Sequence, residues 1–177
     1  MKKIFTYMML LVTVVVMSSC ESEDHYISER LTNRDWQGHL GTYYNDRWGL
    51  TGDDYWTVMR FVSRDDYATS GRGYEVDFKR GSWNNDYAYS TFRWFVEGGE
   101  ITIIYDDDQW TPVYISDYHL SGMHFYGYID DGTTREIRFD FADQYFDNWN
   151  YYENAGAWRT RSANAPSSIV SGVFANK

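Results

Sequence analysis

Alternation of apolar and polar side chains constrains this sequence more than any other feature. In GYEVDFK, Tyr74, Val76 and Phe78 alternate with Glu75, Asp77 and Lys79; in REIRFDF, Ile137, Phe139 and Phe141 alternate with Glu136, Arg138 and Asp140. A period of two puts successive side chains on opposite faces of an extended strand. The same pattern runs through Phe92, Trp94 and Val96, and again through Ile101, Ile103 and Tyr105. Between those two runs sits Gly98-Gly99. A glycine pair tolerates the positive φ angles of a two-residue hairpin turn, so the runs read as antiparallel neighbours. Asp131-Gly132 marks a second hairpin between YGYID and REIRF.

Eight candidate strands follow, near residues 36–44, 55–63, 72–80, 88–97, 100–106, 111–117, 123–130 and 134–142. Short connections favour sequential neighbours, and eight strands are enough to close a barrel that holds side chains or one small ligand. The expected fold is therefore all-β, an eight-stranded antiparallel up-and-down barrel over residues 31–161, preferred to a two-sheet sandwich because closure removes exposed edges. With 17 Tyr, 10 Phe and 8 Trp against 2 Pro, the composition suits β structure joined by tight turns. Ile27 to Leu31 reads as a short helical turn closing one end of the domain. Ala142 to Arg161 is aromatic without clean alternation, and reads as a ninth strand, a short helix plugging an end, or a loop. Residues 162–177 form a tail.

The amino-terminal segment carries an address. Lys2 and Lys3 precede an uncharged, largely apolar run from Ile4 to Met17, 14 residues long. A spanning helix needs roughly 20. A short apolar run behind a positive start, ending in the small residues Ser18 and Ser19, describes a secretory signal over residues 1–19. Cys20 follows at once. The arrangement resembles a bacterial lipoprotein signal, which implies cleavage before Cys20 and lipidation of its thiol; Met17 stands where leucine is usual. The other reading is an ordinary secretory signal with an incidental cysteine. Two or more acyl chains anchor a protein stably to a membrane. Glu21, Glu23 and Asp24 then lie in an acidic tether, residues 20–30, and resemble the export signal of surface lipoproteins. This implies an outer-membrane, cell-surface location, with the periplasmic face as the alternative.

Without Lys2 and Lys3, 14 basic residues face 26 acidic ones, a net charge of −12. Such a balance disfavours nucleic acid and anionic lipid as partners. One cysteine permits no internal disulfide, and a mature chain of 158 residues is long enough to need none.

A Trp-x-Gly near the start (Trp36, Gly38) precedes F-x-W-F-V-E-x-G-x-I-T-I-x-Y (Phe92 to Tyr105) and I-S-D-Y-x-L-S-G-x-x-F-x-G (Ile115 to Gly127). Together these look like the lipocalin-like small lipoproteins of Bacteroidetes, over roughly residues 31–142. The resemblance implies a calyx-like barrel and carries over no catalytic or ligand residue.

Catalytic and metal patterns are missing. His25, His39, His119 and His124 include no H-x-x-x-H pair, and neither G-x-S-x-G nor S-x-x-K occurs. The carboxylate pairs Asp53/Asp54, Asp65/Asp66, Asp106 to Asp108 and Asp130/Asp131 fall in expected turns, where Asp bonds nearby amides. The chain is expected to be neither an enzyme nor a cofactor protein. Its remaining signal is aromatic. In the first reading Trp56, Trp94, Tyr126 and Phe139 line a calyx for a small or apolar ligand. In the second, exposed rings near Trp149, Tyr151, Tyr152 and Trp158 bind carbohydrate or protein. A structural envelope protein without a small ligand is the third.

Overall fold

The structure, a computed structural model, describes residues 23–46, 49–79, 87–107 and 111–155, without the side chains of 44–51, 154 and 155. Among the described residues nine strands form one antiparallel sheet: β1 (Asp35–Asp46), β2 (Gly49–Ser63), β3 (Ser70–Lys79), β4 (Tyr87–Glu97), β5 (Glu100–Tyr105), β6 (Val113–Ile115), β7 (Tyr118–Leu120), β8 (His124–Ile129) and β9 (Glu136–Asp143). Their order is β6-β5-β4-β3-β2-β1-β9-β8-β7. Hence β1, first in the chain, pairs with β9, the last. Two backbone hydrogen bonds between Tyr114 and Asp130, 2.9 and 2.8 Å, join β6 to the end of β8 and bring the sheet to near closure. The all-β barrel is as expected. The ninth strand is β7, three residues that return immediately into β8, too short to show a period.

Helix α1 covers residues 23–31. Ile27 and Leu31, one turn apart, enter the core and close one end of the barrel. Acids at Glu23 and Asp24 suit its first turn, and Arg30 its last. It stops where Asn33 takes a left-handed φ of 59°. Most of the segment expected as a tether is thus folded onto the barrel. The Asp24 carboxylate accepts hydrogen bonds from the Gly98 and Gly99 amides at 3.0 and 2.8 Å, clasping the β4–β5 turn.

The interior is aromatic. Phe125 meets Trp36, Tyr118, Phe139 and Phe141 with centroids 4.6 to 6.4 Å apart, and Phe61 meets Phe92 and Trp94 edge-on. Buried indoles need acceptors for their N–H groups. Trp36 donates to the Leu31 carbonyl at 2.8 Å and Trp94 to the Arg72 carbonyl at 2.9 Å.

Strand β3 reverses the usual rule. Glu75 lies opposite Met59 and Ser90, and Asp77 opposite Thr57 and Ala88, so both carboxylates point inward and are fully buried. The Tyr105 hydroxyl donates to Glu75 and the Thr57 hydroxyl to Asp77, each at 2.6 Å. The same inward face carries Gly73, where an added Cβ would meet the Phe92 ring at 2.1 Å. Large rings from β4 therefore fill the space that β3 leaves. The apolar residues of β3, Tyr74, Val76 and Phe78, face outward, where α2 (Trp149–Ala155) covers them. Of the three readings of the aromatic carboxy-terminal segment, a short helix is correct, but it packs on the barrel wall and plugs no end. Asp35 fastens it: its carboxylate accepts from Arg60, from the Trp149 indole at 2.9 Å and from the Phe146 amide at 2.9 Å.

Candidate functional site

The four expected calyx rings divide by strand parity. Trp94 and Phe139 point inward and are 1% and 3% exposed; Trp56 and Tyr126 point outward and are 40% and 47% exposed. Assigning the latter two to the lining is corrected by one residue of phase, which flips a side chain across a sheet. The two inward rings sit in the packed core with Phe61, Phe141 and Phe125.

The expected outer aromatic surface also changes. Trp149 is 8% exposed, locked between Tyr74 and Phe146. Tyr152 is half-buried against Phe78 and Tyr87, and Tyr151, 63% exposed, is the open ring of that helix. Trp158 and Cys20 lie outside the described residues.

A different group of rings reaches solvent on β1, β8 and β7, with Arg138 of β9 among them. Arg138 lies between Tyr43 and Tyr128, 5.9 and 5.7 Å from their centroids, and pairs with Glu136. His119 stacks on Tyr126 at 5.0 Å. His39 and the Tyr43 hydroxyl both meet Asp54, at 2.9 and 3.0 Å. Burial, then the hydrogen bond to Asp54, raises the Tyr43 phenol pKa. Trp56 stands three strands from Tyr126 by way of His39 and Asp140. Each strand of a nine-stranded barrel turns the surface by about 40°, so these rings share no plane.

Concavity is found elsewhere. A groove of about 330 Å³, open to solvent, runs beside α1 and is bounded across from it by Gly99 of the β4–β5 turn, the β6–β7 connection and β7. One wall is the face of α1 that carries Glu23, Tyr26, Ile27 and Arg30, at the spacing i, i+3, i+4, i+7. Gly99, Ser116, Tyr118 and Leu120 form the other wall. The Tyr118 hydroxyl donates to the Gly99 carbonyl at 2.8 Å. Burial, reinforced by Glu23 and Asp24, pushes its pKa up to about 12. No sequence signal marks this site: Ile27 to Leu31 reads as a helical turn, but Glu23 and Tyr26 read as tether, and the facing wall comes from distant connections.

Among the described residues, no three His, Cys, Asp or Glu side chains are grouped to hold a metal ion, and no helix is long and apolar enough to cross a membrane. Fold and surface define an antiparallel β-barrel with a filled aromatic interior and a groove at its helical end. Comparison with protein-family models, curated proteins and solved structures finds no match.

Proposed function

We propose that this chain is a lipoprotein of the outer membrane, anchored through acyl chains on Cys20 and displayed at the cell surface, whose barrel is a non-catalytic scaffold for binding a small ligand. The supporting observation is the groove beside α1. Its volume lies at the lower end of the range for ligand sites, roughly 300 to 1,000 Å³. It combines rings, an apolar floor and charged groups, whereas the inward-facing rings are packed against one another and the inward carboxylates are sealed from water. An apolar ligand inside the barrel would have to displace that packing. The likeness to lipocalin-like lipoproteins is compatible with ligand binding but sets no position for it.

The exposed Tyr126, Tyr128 and Arg138, with the half-buried Tyr43 beside them, favour a second reading, contact with carbohydrate or protein on the outer wall. Thermal-shift titration of the detergent-solubilised chain with amino acids, short peptides, monosaccharides and fatty acids separates these readings. We expect saturable protection that is lost in Ser116→Trp, which fills the groove from an exposed position. Protection that survives Ser116→Trp would move the site to the barrel interior or the outer wall. Silence throughout would leave a structural envelope protein. Intact mass tests the anchor: an unmodified amino terminus beyond position 20 overturns it.

A further inference from the structure

Glu23 and Arg30 sit seven residues apart on one face of α1, so at 1.5 Å per residue their attachment points are separated by ~10 Å along the groove. Among the described residues neither side chain has an ion-pair partner. The Arg30 guanidinium lies over the Tyr26 ring, 4.3 Å from its centroid, and keeps its N–H groups for an oxyanion. Asp24, engaged with the hairpin amides, adds negative potential at the Glu23 end. One end of the helical wall is therefore anionic and the other cationic, with Ile27 between them and Leu120 on the facing wall.

Resting on the groove as the ligand site, we infer that it takes a short linear peptide with free ends, its ammonium group at Glu23 and its carboxylate at Arg30. Attachment points ~10 Å apart, with the guanidinium drawn back over Tyr26, set an upper span of about three extended residues at about 3.3 to 3.6 Å each. A single amino acid carries both charges on one carbon and reaches one end. A fatty acid has one charge, and a neutral sugar has none, so each leaves a charged end unmatched. Apolar side chains of the peptide meet the floor, and its carboxylate engages the guanidinium in a charge-assisted pair.

Isothermal titration of the detergent-solubilised full chain with trileucine tests this. Leucine alone, N-acetyl-trileucine and trileucine amide should each bind at least tenfold more weakly than trileucine. Glu23→Gln should weaken trileucine at least tenfold and no longer distinguish it from the acetylated form; Arg30→Gln should do the same for the amide. Both positions lie at the surface, so folding is preserved. Capped peptides that bind as well as trileucine, or variants that discriminate as the wild type does, overturn the inference. If another small compound protects the chain in a Ser116-dependent way while trileucine does not bind, the peptide assignment falls and the groove stands. If nothing protects it, both fall.

Discussion

Asp35→Ala probes how the carboxy-terminal helix is held. Asp35 is 4% exposed, and its two oxygens accept from Arg60 Nε at 2.5 Å, Arg60 Nη2 at 2.7 Å, the Trp149 indole and the Phe146 amide. Removing one partner of a buried ion pair costs about 3–5 kcal/mol, because a charge is left without its counterpart. The Arg60 side chain is 32% exposed and regains some hydration, which favours the lower end. The Trp149 N–H loses its acceptor, adding about 1 kcal/mol. The expected loss is about 4 kcal/mol, a fall in Tm of about 10 °C for a domain of this size. Urea denaturation followed by circular dichroism measures it. Arg60→Met and the double variant complete a cycle whose coupling should exceed about 1 kcal/mol. A loss under about 1 kcal/mol, or no coupling, would refute the reasoning and make Asp35 incidental to the attachment of α2.

Three further outcomes follow from the geometry. Gly38→Ala places a Cβ 2.1 Å from the Asp140 carbonyl oxygen, backbone that cannot swing aside, so β1 and β9 must part; a loss of about 1–3 kcal/mol, or more, is expected in the same urea assay. Phe125→Ala empties the centre of the ring cluster and should cost about 3–5 kcal/mol. Alkaline titration reads the buried phenols: burial, then Asp53 and Asp77, pushes Tyr55 up to about 12, as burial, Glu23 and Asp24 do for Tyr118. A raised folded pKa contributes stability that is complete below the unfolded value of 10.0 and is lost as pH rises through about 12. Unfolding should therefore become easier between these values. Tyrosinate absorbance that develops fully near the ordinary value, without loss of stability, would contradict this.

Hairpins and inward faces were legible wherever a turn signal and a one-sided pattern agreed, as at Gly98-Gly99 and along Ile137, Phe139 and Phe141. Parity failed where both faces of a strand are rich in large side chains. On β2, Thr57, Met59 and Phe61 compete with Trp56, Val58 and Val62; on β8, Phe125 and Ile129 compete with Tyr126 and Tyr128. On β3 the apolar face was visible, but its direction depends on α2, a helix about 75 residues away in sequence. A signal existed: Gly71 and Gly73 share the parity of Glu75 and Asp77, and glycines beside the rings of Trp94 and Phe92 mark a face crowded from the neighbouring strand. The groove was not legible, since its walls come from α1 and from two connections that meet only once the barrel closes.

The central claim is that ligand binds at the helical end of the barrel, outside its core. Amide chemical-shift mapping during trileucine titration tests it most directly. Saturable shifts should cluster at Glu23, Tyr26, Arg30, Gly99, Ser116 and Leu120. Shifts centred instead on Trp94, Phe139 and Glu75, or on Tyr126 and Tyr128, would contradict the account.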